Sequence, residues 1–173
     1  LFAEYLGAGF AAAVNSGTSG LHLCIAAMGI GAGDEVITTP FSFIASSNAI
    51  LFEDASPVFV DIDPDTWNID PARIPAKITP KTKAVLPVDV FGQPADMDPI
   101  LEIARSRKLR VIEDSCEALG AAYRGRNAGL LGDVGVFGFY PNKQLTTGEG
   151  GMIVTGDESI HRLVVSMRNQ GRC

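Results

Sequence analysis

Short apolar runs rich in β-branched residues recur along the chain and alternate with segments whose apolar residues follow a helical spacing. Such runs are typical of strands that are covered on both faces of a sheet. Strands alternating with helices predict an α/β domain with a mainly parallel sheet, where ligands bind at the carboxyl ends of the strands. The predicted strands are EVITT (35–39), PVFVDI (57–62, expected to be buried), KAVLPV (83–88), LRVIE (109–113), VGVFGFY (134–140) and GMIVT (151–155).

The clearest helical pattern follows a glycine-bearing turn near the start of the chain. Within residues 16–33, the side chains of Leu21, Cys24, Ile25 and Met28 fall on one helical face, and three glycines follow as a stop signal. The pattern therefore predicts a helix that is packed on one side. Two further helices are predicted over residues 43–53 and 157–171.

Three aspartates mark predicted helix starts. Asp70-Pro71 and Asp98-Pro99 each place a capping carboxylate before a proline, which favours the first turn of a helix. Asp157 precedes the last amphipathic segment and is predicted to cap it.

Composition limits the class of protein. The 173 residues are 46% hydrophobic and 20% charged, which suits one domain with a real core. A net charge of −6 argues against non-specific nucleic-acid binding. Cys24, Cys116 and Cys173 form no C-x-x-C pair, so neither a zinc site nor a disulfide framework is indicated, and a reduced, cytoplasmic protein is expected. No apolar run has transmembrane length, and no signal peptide is visible.

The turn before the first predicted helix is a candidate phosphate site. Gly17 and Gly20 allow close approach to the backbone, while Thr18 and Ser19 add hydroxyl groups. The helix that follows directs its free N–H groups and the positive end of its dipole at this turn. The alternative is an ordinary Ser/Thr helix cap, and the turn alone does not decide between the two.

Asp114 is a candidate partner for a cation. It directly follows the apolar run of the fourth predicted strand, where a buried carboxylate is costly without a partner. The alternative is a helix cap for the segment SCEALGA (115–121), and by itself that alternative is favoured.

Lys143 and Phe43 are candidates for a nucleophile and for a ring that stacks on a ligand. Lys143 lies between an apolar strand and a glycine-rich turn, and a lysine in apolar surroundings can act as an amine nucleophile. Taken singly, Lys143 reads as a solvated turn residue and Phe43 as a core residue. The combination changes this. A phosphate cradle, an aromatic ring, a carboxylate and an amine are together what pyridoxal 5′-phosphate (PLP) requires of a protein.

Several longer motifs resemble the DegT/StrS family of nucleotide-sugar aminotransferases, which belong to the fold-type I, aspartate-aminotransferase-like enzymes. The resemblance covers nearly the whole chain with its motifs in the order of the family. It implies a three-layer fold with a mainly parallel mixed sheet flanked by helices, and PLP as cofactor. The motifs are SGTSGLHL (16–23), GDEVITTPFSFIAS (33–46), VFVDIDPDTWNID (58–70), VIEDSCEALGA (111–121), FGFYPNKQLTTGEGGMI (137–153) and MRNQGR (167–172).

The resemblance also implies roles for individual residues. Lys143 matches the lysine that forms the Schiff base with PLP, and Asp114 matches the aspartate that pairs with the pyridine nitrogen. Phe43 falls at the aromatic residue that stacks on the ring, and Glu117 falls where many members have a glutamine near the phenolic oxygen. The phosphate-binding turn is matched by Gly17, Thr18 and Ser19.

Two positions depart from the family pattern. Many members have a serine that helps to hold the phosphate where this chain has Gly138. Glu117 in place of glutamine adds a negative charge, which is unfavourable beside the phenolate oxygen unless the carboxyl is protonated or turned away. The family also takes a phosphate-contacting asparagine from the partner subunit, so a homodimer with its active site at the subunit boundary is expected.

Family members are longer than this chain. The chain begins with Leu1 rather than Met and stops shortly after the MRNQGR motif. Residues 1–173 are therefore expected to be the PLP-binding large domain, as a fragment without the N-terminal segment and the smaller C-terminal domain.

The expected activity is transfer of an amino group from an amino acid, L-glutamate, to a keto group of a nucleotide-activated sugar. The related sugar 3-dehydratases carry histidine at the position of Lys143, which favours transamination here. A non-catalytic regulatory paralogue is the other alternative within the family. A dinucleotide-binding oxidoreductase would need G-x-G-x-x-G between a strand and a helix, and GIGAGDE (29–35) has the wrong spacing.

Overall fold

The computed structural model describes residues 1–172 as a sheet with helices on both faces. The helices are α1 (Phe2–Leu6), α2 (Gly17–Ala27), α3 (Ala45–Leu51), α4 (Met97–Arg107) and α5 (Glu158–Met167). The strands are β1 (Phe10–Val14), β2 (Glu35–Thr38), β3 (Ser56–Phe59), β4 (Thr82–Val85), β5 (Arg110–Asp114), β6 (Ala122–Tyr123), β7 (Arg126–Asn127), β8 (Val134–Gly138) and β9 (Gly151–Thr155).

Seven strands form the main sheet in the order β1-β9-β8-β5-β4-β2-β3. The five from β8 to β3 run parallel to one another, while β9 is antiparallel to both β8 and β1. Parallel strands are connected by crossovers, so the carboxyl ends of β2, β4, β5 and β8 meet at one edge of the sheet. The predicted α/β fold with a mainly parallel mixed sheet is confirmed.

The core has one layer on each face of this sheet. On one face, Ile112 of β5 belongs to a cluster with Leu21 of α2 and Ile50 of α3. On the other face, Val111 belongs to a cluster with Ile100 of α4. Because successive side chains of a strand point to opposite faces, adjacent residues of β5 serve different layers.

The predicted strands β2, β4, β5, β8 and β9 are confirmed, and so is the cap of α5. Asp157 accepts hydrogen bonds from the backbone N–H groups of Ser159 and Ile160. The strand predicted at 57–62 is present as β3, but the prediction that it is buried was wrong, because β3 is an edge strand whose Phe59 is 44% exposed. An edge strand has only one neighbour in the sheet, and this position depends on strand order, which local hydropathy does not encode.

Of the two helix starts predicted at Asp-Pro pairs, the structure has a cap at Asp70 but not at Asp98. The carboxylate of Asp70 accepts from the N–H of Ala72, but the helix it starts is a single 3₁₀ turn, Pro71–Arg73. The cap position of α4 is Asp96 rather than Asp98, which lies inside the first turn and pairs with Arg124. None of the described helices has the length and apolar character needed to cross a membrane.

Candidate active site

A cavity of about 790 Å³ opens at the carboxyl ends of the parallel strands. It is bounded by the start of α2 and by the segments that follow β2, β4, β5 and β8. The candidate residues other than Ser19 and Gly20 line it. These are Gly17, Thr18, Phe43, Asp114, Glu117, Gly138 and Lys143.

The N-terminus of α2 presents backbone N–H groups to the cavity. Ser16 is the cap, and its Oγ accepts from the N–H of Ser19 at 3.1 Å while its carbonyl accepts from Gly20 at 3.1 Å. Ser19 does not line the cavity, because its amide and hydroxyl face Ser16. The first amides of a helix have no intrahelical acceptor, so those of Gly17 and Thr18 remain for an anionic ligand.

Cys116 explains the glycine at position 17. A Cβ atom built on Gly17 would lie 2.7 Å from Cys116 Sγ, and one on Gly138 would lie 3.4 Å from the same atom. The start of α2 is thus pressed against this wall of the cavity, where position 17 has no room for a side chain. Burial, followed by the charge of Asp114, raises the pKa of the Cys116 thiol, which therefore lines the cavity as a neutral group.

Asp114 ends β5 with a carboxylate that is only 6% exposed. Its Oδ2 accepts a hydrogen bond of 2.6 Å from Ser46 Oγ, and its Oδ1 accepts a longer one of 3.3 Å from the Cys116 backbone. Residues 115–121 form turns, so the alternative of a cap for a helix is not realised. A carboxylate has about four acceptor positions. The Ser46 hydroxyl, the Cys116 backbone and the weakly donating Cys116 thiol use three at most, which leaves capacity for a cationic ligand group.

Lys143 lies in the loop between β8 and β9, with its side chain 15% exposed. Its Nζ donates to Glu117 Oε1 at 2.8 Å, and Glu117 Oε2 accepts from the backbone N–H of Phe91 at 3.1 Å. The alternative of a solvated turn lysine does not fit a side chain this enclosed. The negative charge of Glu117, which the sequence made look unfavourable, has Lys143 as its partner.

Aromatic side chains form one wall of the cavity. Phe43 is 75% exposed and lines the cavity, so the alternative that it is a core residue does not hold. Phe41 also lines it and contacts Trp67 and Phe91 edge-on, with ring centroids 5.3 and 6.0 Å apart. Sequence reasoning missed Phe41 and Phe91. The second has a left-handed backbone (φ 53°) that its residue type does not predict.

Sequence reasoning also missed Asp89, a second buried acid of the cavity. It is 2% exposed, and its carboxylate accepts from Ser115 Oγ at 2.6 Å and from the N–H of Ala95 at 3.0 Å. Burial raises its pKa to about 6. Asp89 directly follows the apolar run 83–88, so the strand-end reasoning that identified Asp114 would also have found it.

The donors around the cavity fit PLP. The start of α2 suits a phosphate, the carboxylate of Asp114 suits a protonated pyridine nitrogen, and the primary amine of Lys143 suits an aldehyde. The aromatic wall suits a planar ring. A mainly parallel sheet with this set of groups at its carboxyl edge has the arrangement that a PLP site requires.

Residues 1–173 match the DegT/DnrJ/EryC1/StrS aminotransferase family, and the chain belongs to that family. The chain is 53% identical over 170 residues to GDP-perosamine synthase of Caulobacter vibrioides. The matched region covers 98% of this chain and 46% of that protein. The chain spans about half the length of the curated relatives it matches.

Solved structures agree with this assignment. DesV of S. venezuelae superposes with a TM-score of 0.95 at 43% identity, covering 98% of this chain and 46% of DesV. NtdA of Bacillus subtilis, solved with bound cofactor PMP, superposes with a TM-score of 0.89 at 37% identity, covering 95% of this chain and 37% of NtdA. Such structural neighbours are fold-type I aminotransferases, and the aminotransferases of this family depend on PLP.

Proposed function

We propose that the chain is the cofactor-binding part of a PLP-dependent transferase that moves an amino group from an amino acid to a keto group of a nucleotide-activated sugar. The observation that carries the proposal is the position of Lys143. Its enclosed amine shares one cavity with the buried carboxylate of Asp114 and the start of α2. The lengths of the relatives support the further proposal that residues 1–173 are the large domain of a longer protein.

Each group has a separate task in this proposal. The amides of Gly17 and Thr18 bind the phosphate, with the dipole of α2 favouring its charge. Asp114 orients the pyridine ring and balances the charge of its nitrogen. Phe43 covers the ring, and Gly138 leaves room beside the phosphate. When bound, PLP supplies an electron sink for the bond that breaks at the α-carbon of the amino donor.

Lys143 has two tasks, both at Nζ. With PLP bound, its amine would hold the aldehyde of the cofactor, and in its free form the same amine would accept the proton from the α-carbon of the donor as a general base. Glu117 Oε1 lies 2.8 Å from Nζ, so this carboxylate is placed to orient the amine and to exchange a proton with it.

The proposal extends to the amino donor and to the assembly. L-Glutamate is the proposed amino donor, and a cytoplasmic homodimer is the proposed assembly, with the active site at the boundary between subunits. Three exposed aromatic side chains at the cavity support a covering subunit, namely those of Phe43, Phe91 and Tyr140. An active monomer in sedimentation would contradict the homodimer.

The alternatives within the family are less well supported. A sugar dehydratase of this family would have histidine where this chain has Lys143. A regulatory paralogue without activity has no need for an enclosed amine and a buried carboxylate in one cavity, since each costs stability unless it is used.

The substitution Lys143→Ala tests the proposal directly. In the full-length protein it should remove the visible absorption band of the bound cofactor. It should also lower the rate of the half-reaction with glutamate by at least about 10²–10⁴-fold, because the proton-carrying amine is lost. Both can be measured by stopped-flow absorbance.

Lys83→Ala is the matched control, because Lys83 is a half-exposed lysine that pairs with Asp34 on the surface. This variant should keep the band and the rate. A Lys143→Ala protein that retained both would refute the proposed function.

A further inference from the structure

We propose that Ser46 is a positioning residue for Asp114, and that the hydroxyl of Ser42 completes a two-hydroxyl relay that fixes the carboxylate in the cavity. This inference rests on the proposed function, in which Asp114 pairs with the pyridine nitrogen. No feature of the sequence singled out either serine. Both were found from the contacts of α3 and of the turn before it.

The contact between Ser46 and Asp114 joins two elements that are distant in sequence. Ser46 lies in α3 with 0% exposure, and Asp114 ends β5, 68 residues later. The Oγ of Ser46 donates to Oδ2 at 2.6 Å, a short distance that is typical of a hydroxyl bonded to a charged carboxylate.

The relay has a defined direction. Ser42 Oγ and Ser46 Oγ are 2.8 Å apart. A hydroxyl has a single hydrogen, and that of Ser46 is donated to the carboxylate, so Ser42 must be the donor between the two serines. Ser42 lines the cavity, whereas Ser46 lies behind the wall. Hydrogen bonds in such a chain polarise and strengthen one another.

Without Ser46 the carboxylate would be weakly held. Its other hydrogen bonds within the protein are weak, because that from the backbone of Cys116 to Oδ1 is 3.3 Å long and the thiol of Cys116 is a poor donor. Binding sites need their reacting groups held to within roughly 0.5 Å by supporting residues. The Ser46 hydroxyl fixes the rotation of the Asp114 side chain, and a carboxylate held at this position is what would keep a proton on the pyridine nitrogen.

The test compares Ser46→Ala and Ser46→Thr in the full-length protein reconstituted with ¹⁵N-labelled PLP. Ser46→Ala removes a hydrogen bond to a charged group and should lower kcat by at least about tenfold. It should also shift the loss of the pyridinium proton, followed by ¹⁵N NMR, to lower pH by about one unit. Ser46→Thr keeps the hydroxyl and should restore both values, and Ser42→Ala should cause a smaller change in the same direction.

A purely structural serine would give a different result. It would lower the melting temperature of Ser46→Ala and leave the ¹⁵N titration and kcat of the folded protein at wild-type values, which would overturn the inference. If Ser46→Ala does not fold, Ser46→Cys decides in the same way, because it keeps the volume and weakens the donor. Asp114→Asn distinguishes a failure of this inference from a failure of the proposed function. Normal turnover and a normal ¹⁵N titration in that variant would refute the proposed function itself.

Discussion

Two neighbouring acids at the end of β5 are both buried, but they differ in their hydrogen-bond donors and in whether they face the cavity. Glu113 is 0% exposed and Asp114 is 6% exposed. Three backbone N–H groups of one loop donate to the Glu113 carboxylate, from Gly129 at 3.0 Å and from Leu131 and Gly132 at 2.6 Å each. Asp114 has one short bond and one long bond, and it faces the cavity.

The pleat of the strand separates the two acids. Successive side chains point to opposite faces, so Asp114 shares the α2–α3 face with Ile112, while Glu113 shares the α4 face with Val111. Burial alone therefore does not identify a functional carboxylate. The donors separate these two acids, because three backbone N–H groups tie the Glu113 carboxylate to a loop, whereas the Asp114 carboxylate has one short hydrogen bond and faces the cavity.

The largest effect is expected from Asp114→Asn. The amide keeps the size of the side chain and can still accept from Ser46, so the free energy of unfolding should change little. Removal of one member of a buried charged pair costs about 3–5 kcal/mol, so kcat of the full-length protein should fall on the order of 10³-fold. A steady-state assay measures kcat of the variant. Turnover near the wild-type rate would contradict the claim that Asp114, unlike Glu113, acts in catalysis.

Glu113→Ala should give the opposite profile. Each buried donor left without an acceptor costs about 1–3 kcal/mol, so the loss of three acceptor contacts should lower the free energy of unfolding by on the order of 3 kcal/mol or more. Urea unfolding measures this directly. Folded Glu113→Ala should still bind PLP, and a variant of normal stability that failed to bind PLP would reverse the roles assigned here.

A smaller effect is expected in the pH dependence of stability. Burial raises the pKa of Glu113 to about 7, from an ordinary value of 4.5. Between these values the folded protein holds a proton that the unfolded chain has lost. The free energy of unfolding should therefore decrease as the pH rises through this window, by at most about 1.4 kcal/mol per pH unit for this group.

Glu113→Gln is the control for the pH dependence of the free energy of unfolding, because the amide mimics the protonated acid at every pH. Its unfolding free energy should depend less on pH than that of the wild type between pH 4.5 and 7. Equal slopes for the two proteins would show that Glu113 does not titrate in this range.

The fold was predictable where local sequence decides it. The strands β5 and β8 contain apolar, β-branched runs whose burial on both faces follows from their composition. The edge position of β3 was not, because its pairing with β2, about 20 residues earlier in the chain, decides it. In the same way, β1 pairs with β9 at the other end of the chain. The hairpin β6–β7 was also missed, although its pairing is local.

The candidate site was predictable to a similar extent. Asp114 and Lys143 follow apolar strands, and Gly17 begins a helix, so each has a local signal. The contacts that these residues make have no local signal in the sequence. Lys143 meets Glu117 across 26 residues, and Asp114 meets Ser46 across 68, and no spacing rule encodes either contact.

The central claim is that the amine of Lys143 binds the aldehyde of PLP, and borohydride reduction tests it most directly. The full-length protein reconstituted with PLP would be reduced, digested and analysed by mass spectrometry. The account predicts that the mass of the cofactor is fixed on the single peptide that contains Lys143, and that the Lys83→Ala control is labelled at the same place. Label on another lysine, or no label in a protein that catalyses transamination, would contradict it.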